Sequence, residues 1–303
     1  MNELNFEGRV AVVTGAGRGI GRAHALLLAD RGARVVVNDV GGSMGGVGAD
    51  PEPAATVAAE IVGAGGVAIA DNSDVSTGAG ARALIDAAVE QFGRIDILVN
   101  NAGIIRWAGM PEVDAEALAQ HHAVHVGGSF NTTRAAWPHM VEQHYGRIVM
   151  TTSAGMFGLP NNLGYATAKG AVVGLTRSLT TAGAEHDIKV NLVAPAAVTR
   201  MAGRTTEEMT AQMAPELVAP MVAFLAHEDC PVSGEIYAAG AGRFARIFVA
   251  QADGYVHSGP APTVEDVAAH WAAINDEGVY TVPADLMGWS AEFMRHLGPA
   301  APA

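Results

Sequence analysis

The sequence predicts an α/β fold built on a doubly wound parallel sheet of about seven strands. Short runs rich in valine and isoleucine alternate along the chain with longer alanine-rich segments. The short runs are continuously apolar, which is typical of strands that are covered on both faces. Strands that alternate with helices and are joined by right-handed crossovers form a parallel sheet.

The predicted strands are short, and most carry several β-branched residues, which favour a pleated backbone. They cover residues 9–14, 33–38, 67–71, 95–100, 146–152, 189–193 and 235–239. The segments between them have the length and apolar spacing of helices. We expect helices over residues 20–31, 57–63, 79–92, 115–143 and 165–185, the fourth interrupted at Gly127 and Gly128. Residues 41–56 are rich in glycine, alanine and proline and are predicted to form a loop.

The chain shows no linker or change of composition before about residue 240. We therefore expect residues 1–240 to form the cofactor-binding and catalytic domain. Residues 241–303 are interpreted as an extension packed on the same domain or on a neighbouring subunit. Residues 283–303 allow no firm interpretation, although Trp289 and Phe293 are spaced to share a helix face.

Composition limits the partners that we expect. The chain has 18 basic and 31 acidic residues, a net charge of −13 that argues against nucleic acid. Cys230 is the single cysteine, so no intramolecular disulfide forms. The N-terminus lacks an apolar signal region, and no stretch approaches the roughly 20 apolar residues that span a bilayer. We expect a cytoplasmic protein with no membrane partner and no metal site.

The segment TGAGRGIG, residues 14–21, follows the first predicted strand and precedes the first helix. Its glycines allow a sharp turn and a close approach of the backbone to a ligand. The helix N-terminus that follows favours negative charge, so we predict a dinucleotide pyrophosphate here. The candidate residues are Gly15, Arg18, Gly19, Ile20 and Gly21.

Asp39 closes the second predicted strand, about 20 residues after the glycines, where an acid binds the adenosine ribose hydroxyls. Its carboxylate would repel a 2′-phosphate, which favours NAD over NADP. Arg18 is a weaker indication of the opposite preference, since it could reach such a phosphate. The alternative is that Asp39 only caps its strand.

Two further strand ends supply small or polar residues at the same edge of the sheet. Asp74 and Val75 follow the third strand and are predicted to lie beside the adenine. Asn101, Ala102 and Gly103 follow the fourth strand, where small residues would let the backbone pack against a ribose. Either segment alone would be an ordinary turn.

Tyr165 and Lys169 are four residues apart on a predicted helix, so they share one face. A free phenol has a pKa of about 10, and a nearby ammonium favours the phenolate. Such a phenol passes protons to or from a substrate oxygen, and Ser153 can hold the same oxygen. This set suits the interconversion of an alcohol and a carbonyl. The alternative is a surface pair.

With these motifs in order, the chain resembles the short-chain dehydrogenase/reductase family over about residues 6–240. The resemblance implies a Rossmann-type domain, a nicotinamide cofactor and a homo-oligomer, either a dimer or a tetramer. VVNDVGGSMGGVG, FGRIDILVNNAGIIR and VHVGGSFNTTRAAWPHM look like the (3R)-hydroxyacyl-CoA dehydrogenase part of the peroxisomal multifunctional β-oxidation enzymes. Bacterial relatives of that type are linked to 17β-hydroxysteroid oxidation.

The resemblance also implies roles. Tyr165 would be the general acid/base, Lys169 would bind the nicotinamide ribose and lower the tyrosine pKa, and Ser153 would polarise the substrate oxygen. The stretch PAAVT would line the nicotinamide carboxamide through Pro195, Val198 and Thr199.

Three positions depart from the family pattern, one of which is Ala196 in PAAVT, where glycine is frequent. His125 stands where the family usually has a catalytic asparagine, so it either shares in proton relay or only packs the helix. Ser153 precedes Tyr165 by one residue fewer than is common, and Thr152 has the commoner spacing.

We therefore expect an NAD-dependent oxidoreductase that interconverts a secondary alcohol and a ketone, with a 3-hydroxyacyl-CoA as substrate. A 17β-hydroxysteroid is the alternative substrate, and a catalytically idle NAD-binding protein is the alternative of another class. Methionines 201, 209 and 213 are candidates for an apolar lid. Candidate contacts for CoA phosphates are Arg106, Arg200, Arg204, Arg243 and Arg246.

Overall fold

The computed structural model describes residues 3–202 and 205–298, and its centre is an eight-stranded sheet. The strands are β1 (Val10–Thr14), β2 (Arg34–Asn38), β3 (Val67–Asp71), β4 (Ile97–Asn100), β5 (Gly146–Thr151), β6 (Ile188–Pro195), β7 (Ile236–Gly240) and β8 (Arg243–Ile247). Their order is β3-β2-β1-β4-β5-β6-β7-β8. Pairing is parallel from β3 through β7. The predicted doubly wound, Rossmann-type sheet is confirmed.

The eighth strand was not predicted. A two-residue turn, Ala241 and Gly242, joins β7 to β8, and both residues have positive φ (50° and 72°). Positive φ at both central positions is the geometry of a tight hairpin turn. Because β8 lies at the sheet edge and most of its side chains are exposed, it lacks the apolar run by which the other strands are found.

Helices cover both faces of the sheet. They are α1 (Gly19–Asp30), α2 (Glu52–Gly63), α3 (Gly78–Phe92), α4 (Ala115–His121), α5 (Gly128–Gln143), α6 (Leu163–Gly183), α7 (Glu207–Gln212) and α8 (Ala219–Ala226). One layer contains α1, α2 and α8, and apolar side chains such as Leu28, Val57 and Leu225 bury against the sheet there. The other layer contains α3, α5 and α6. Burial on both faces explains the continuously apolar strands.

Two predicted boundaries differ from the structure. Helix α2 begins at Glu52 rather than at residue 57, because Pro51 and Pro53 occupy its N-terminus, where proline is tolerated. The predicted interruption of the fourth helix at Gly127 and Gly128 is not observed as a break. A π-helical turn, His122–Gly127, joins α4 to α5 without breaking the helix, and Gly128 begins α5.

The chain divides into two compact units, residues 1–246 and residues 247–303. The described part of the second unit contains a two-stranded sheet, β9 (Gln251–Ala252) with β10 (Tyr280–Thr281), and α9 (Val264–Ala269), α10 (Trp271–Ile274) and α11 (Leu286–Phe293). None of its described residues is buried. Trp289 stacks on Phe293 along α11, with ring centroids 4.9 Å apart, as their spacing predicted.

One described stretch, Glu207–Ala226, is long and apolar enough to span a membrane, so the expectation that no stretch approaches that length is wrong by this measure. The stretch is divided between α7, a 3₁₀ turn at Pro215–Leu217 and α8. Val222 and Leu225 of α8 pack into the core. A proline-interrupted, partly buried stretch of this kind is also typical of core helices in globular domains.

Candidate active site

A cavity of about 490 Å³ opens at the carboxyl ends of the parallel strands, the edge where doubly wound sheets bind ligands. Its lining brings together sixteen of the eighteen predicted site residues. These are Gly15, Arg18, Gly19, Ile20, Gly21, Asp39, Asp74, Val75, Asn101, Ala102, Gly103, His125, Tyr165, Lys169, Pro195 and Thr199. Ser153 and Val198 are the two that do not line it.

The glycine loop forms a cradle that side chains would fill. Gly15 has a φ of 63°, and a Cβ there would lie 2.9 Å from Ala102 Cα. A Cβ on Gly21 would collide with the Gly15 carbonyl oxygen and with Asn101 Nδ2. Helix α1 begins at Gly19 and has no side-chain N-cap, so the amides of its first turn remain available to an anion. The loop therefore fits a pyrophosphate.

Asp39 is buried, and backbone amides hold its carboxylate. Oδ2 accepts the N–H of Gly17 at 2.9 Å, and Oδ1 accepts that of Gly41 at 2.7 Å. Gly17 was missed in the sequence, although its place inside the glycine loop could have indicated it. Two bonds leave further lone pairs of the carboxylate free for ribose hydroxyls. Arg18 lies 3.9 Å from Asp50, so an acid already opposes its charge.

Asn101 ties the fourth strand end to the glycine loop. Its Nδ2 donates to the carbonyl oxygens of Thr14 and Gly15, at 2.9 and 3.1 Å. Thr14 Oγ1 in turn accepts the N–H groups of Asn101 and Ala102, both at 3.0 Å. These bonds fix the two loops at a close separation, which is why Gly15 tolerates no side chain.

Tyr165 and Lys169 lie on one face of α6, and Ser153 caps a 3₁₀ turn at Ala154–Phe157. The Lys169 ammonium lies 5.6 Å from the centre of the tyrosine ring and donates to the Thr151 carbonyl at 2.6 Å. Burial lowers the pKa of Lys169 to about 7. Tyr165 and Lys169 therefore lie together in the lining of the cavity, and Ser153 lies beside Tyr165 without lining it.

The expected lowering of the Tyr165 pKa is wrong for the protein without ligands. Burial raises that pKa above its ordinary value, and a hydrogen bond with Ser153 only partly opposes the effect. Burial also lowers the pKa of Lys169 to about 7, so at neutral pH only about half of the lysine side chains carry the charge on which the expectation relied.

The choice of Ser153 over Thr152 agrees with the geometry. Thr152 is fully buried and donates its hydroxyl to the Lys169 carbonyl at 2.8 Å. Ser153 is partly exposed and is the residue that hydrogen-bonds the phenol. Val198 does not line the cavity, and its N–H donates instead to the Met213 carbonyl at 2.7 Å.

His125 lies on the π-helical turn, where it is 2% exposed and lines the cavity. Its Nε2 lies 2.8 Å from the Ile104 carbonyl, and its ring meets that of Tyr165 edge to face at 5.4 Å. Burial and the nearby Lys169 hold its pKa well below the ordinary value, so the imidazole is neutral. Its Nδ1 is buried without a hydrogen-bond partner in the described structure.

The candidate phosphate ligands are not all brought to the cavity. Arg200 and Met201 line it, and the Arg200 guanidinium donates to the Gly42 carbonyl. Arg106 pairs with Gln120, and Arg246 pairs with Glu235. Arg243 is exposed on β8, Met209 and Met213 do not line the cavity, and Arg204 lies outside the described residues. Among residues 3–202 and 205–298, no cluster of three metal-ligating side chains occurs.

The chain matches the family model for short chain dehydrogenases over residues 9–210. It is 43% identical over 270 residues to a short-chain type dehydrogenase/reductase of Mycobacterium tuberculosis, covering 88% of this chain and 94% of that protein. It is 40% identical over 279 residues to the peroxisomal multifunctional enzyme type 2 of Drosophila melanogaster, covering 90% of this chain. The chain spans 46% of that relative's length and 32% of its mouse counterpart.

Solved structures agree with these sequence relatives. The full-length Drosophila multifunctional enzyme superposes with a TM-score of 0.81 at 34% identity, covering 97% of this chain and 50% of that one. A short chain dehydrogenase from Mycobacterium avium superposes with a TM-score of 0.78 at 36% identity, covering 90% of this chain and 98% of that one. The family model, the sequence relatives and the shared fold show that the chain belongs to the short-chain dehydrogenase family of oxidoreductases, which bind nicotinamide nucleotides.

Proposed function

We propose that the protein is an NAD-dependent dehydrogenase that interconverts a secondary alcohol and a ketone, with a 3-hydroxyacyl-CoA as its substrate. One observation carries the proposal. A single cavity has the glycine cradle and Asp39 in its lining together with Tyr165 and Lys169, while Ser153 bonds the phenol. A dinucleotide site is thus continuous with a proton donor and acceptor.

The cavity residues fit a dinucleotide. The glycine loop and the open N-terminus of α1 would hold the pyrophosphate, and Asp39 would hold the adenosine ribose. Asp74, Val75 and the Asn101–Gly103 segment would contact the adenine and a ribose. When bound, the nicotinamide ring supplies the acceptor for a hydride, which no side chain can provide. The Asp39 carboxylate supports NAD over NADP, because it would repel a 2′-phosphate.

The side chains at the other end of the cavity would handle the proton. Tyr165 Oη would take the proton of the substrate hydroxyl, and Ser153 Oγ would hold the same oxygen. An anionic dinucleotide attracts positive charge, so its binding would favour the protonated form of Lys169. A charged Lys169 would then lower the tyrosine pKa. On this proposal the electrostatic role of the lysine depends on the bound cofactor.

Two observations support the proposed substrate. Sequence relatives are named peroxisomal multifunctional enzyme and peroxisomal hydratase-dehydrogenase-epimerase, which are names of enzymes with several linked activities. Large apolar side chains are also exposed on two segments: Trp107 and Met110 on the one that follows Gly103, and Phe157 and Leu159 on the one between Ser153 and Tyr165. A backbone bridge between Ala108 and Asn162 joins the two segments. Exposed apolar side chains of this kind suit the acyl chain of a thioester.

The test is NADH formation, followed at 340 nm, with three substrate classes: 3-hydroxyacyl-CoAs, 17β-hydroxysteroids and simple secondary alcohols. We expect the acyl-CoAs to give the highest kcat/KM, and NAD to be preferred to NADP. A clear preference for the steroids would overturn the substrate assignment. The absence of turnover with every class would favour the catalytically idle protein. The expected dimer or tetramer and the cytoplasmic location stay predictions.

A further inference from the structure

A second histidine, His121, lies beside the proposed catalytic residues and has no role in the proposed function. It is the last residue of α4 and is 1% exposed. Its Nδ1 lies 2.7 Å from the Ala117 carbonyl, and its Nε2 accepts the N–H of Arg106 at 3.2 Å. These two partners occupy both ring nitrogens: Nδ1 donates to the Ala117 carbonyl, and Nε2 accepts from Arg106.

His121 and His125 together hold one segment of the cavity wall. His125 Nε2 contacts the backbone of Ile104, and His121 Nε2 contacts that of Arg106. The two rings lie nearly parallel, with centroids 6.1 Å apart and an interplanar angle of 8°. Ile104 lines the cavity, so the two imidazoles fix a stretch of backbone that faces the proposed cofactor and substrate.

The same ring also supports the first turn of α6, which carries Tyr165. A Cβ on Gly164 would lie 2.8 Å from His121 Nδ1, so the helix backbone packs directly on the imidazole. The ring of Tyr165 stands edge-on to His121, with centroids 6.5 Å apart and an angle of 80°. His121 therefore contacts the wall segment, His125 and the first turn of the helix that carries Tyr165.

We infer that His121 is a positioning residue for Tyr165, an inference that rests on the proposed function. By bonding the backbone of Arg106 and packing under Gly164, it sets the separation between the cavity wall and the tyrosine. Because its nitrogens are both occupied, it exchanges no proton with the substrate. A small displacement of a catalytic group lowers the rate of the chemical step without abolishing binding, so the effect should fall on kcat.

The test is His121→Phe, which keeps a ring but loses both hydrogen bonds, beside the control His122→Phe. His122 is the first residue of the π-helical turn, and its ring contacts Thr167 rather than the wall segment. We expect His121→Phe to lower kcat at least tenfold, with the Kd of NADH changed less than threefold, while His122→Phe remains within threefold of wild type. If the phenylalanine variant does not fold, His121→Gln keeps a donor and an acceptor and should show a smaller loss.

A double variant separates positioning from a general structural effect. In a Tyr165→Phe background, His121→Phe should lower kcat by less than twofold further, because the group that it positions is absent. Full additivity of the two losses, or a His121→Phe kcat equal to that of the control, would overturn the inference. Failure of the proposed function is distinct, because Tyr165→Phe alone would then retain normal turnover.

Discussion

Lys169 is expected to destabilise the ligand-free protein, and Lys169→Met tests this. The folded pKa of about 7 lies well below the ordinary value of 10.5, because burial penalises the charged form. The unfolded chain therefore binds a proton that the folded chain gives up. At about 1.4 kcal/mol per pKa unit, the penalty at pH 7 is about 4 kcal/mol. The bond to the Thr151 carbonyl returns about 2 kcal/mol, so the methionine variant should be more stable by roughly 2 kcal/mol.

The pH dependence of the stability difference between the variant and wild type tests the sign of this effect independently. The lysine pKa is lowered on folding, so the penalty fades as pH rises toward the unfolded value of 10.5. At pH 9.5 the penalty is only about 1 kcal/mol, and the stability advantage of the variant should vanish. The assay is urea unfolding without cofactor at pH 7 and 9.5, with Lys189→Met as control. Lys189 is partly exposed and donates to the Cys230 carbonyl, so Lys189→Met serves as the matched loss of a lysine outside the cavity.

The stabilised variant should also lose activity, with kcat/KM lowered at least about 100-fold. A Lys169→Met protein that is less stable than wild type at pH 7 would refute the reasoning. So would a stability difference that stays constant between pH 7 and 9.5. The expected combination, higher stability with lower activity, is typical of functional groups held in unfavourable surroundings.

Three further predictions concern the cofactor cradle and the core. Gly21→Ala should weaken NAD binding at least tenfold, measured by NADH fluorescence, because its Cβ would collide with Gly15; unchanged affinity would argue against the cradle. Asp39→Asn should reduce the preference for NAD over NADP by about 10- to 100-fold, because it removes the repulsion between one carboxylate charge and the 2′-phosphate at close range. An unchanged preference would exclude Asp39 as its cause. In the described part of the chain, neither nitrogen of the buried His24 has a hydrogen-bond partner, and burial lowers its pKa to about 3. As pH falls, His24 is protonated in the unfolded chain at a higher pH than in the folded chain, which destabilises the wild-type protein. Between pH 7 and 5, His24→Leu should therefore lose about 2 kcal/mol less stability than wild type. Equal losses would contradict this prediction.

Much of the fold was accessible from the sequence because buried strands have a strong apolar signal. The segment Val67–Asp71 was predicted with its observed bounds. The β8 strand could not be found in this way, because a sheet-edge strand with exposed side chains lacks that signal. The start of α2 was missed because a proline-rich segment has the composition of a loop, although proline is favoured in a first helical turn.

The candidate site was predicted as a set of residues, but its electrostatics were not. A sequence reveals the glycine loop and Asp39 because they follow predicted strands, and it reveals Tyr165 because Lys169 is spaced to share its helix face. The raised pKa of Tyr165 and the lowered pKa of Lys169 arise from burial by distant parts of the chain. The π-helical turn is likewise invisible in sequence periodicity, yet it places His125 against the Tyr165 ring.

The most direct test of the account is Tyr165→Phe, which removes one oxygen and leaves the ring in place. The account predicts that kcat for a 3-hydroxyacyl-CoA falls by about 10³-fold. NADH binding should change less than threefold, because the phenol oxygen is assigned to the proton rather than to cofactor affinity. Turnover near the wild-type rate would contradict the central claim that Tyr165 transfers the proton beside the bound dinucleotide.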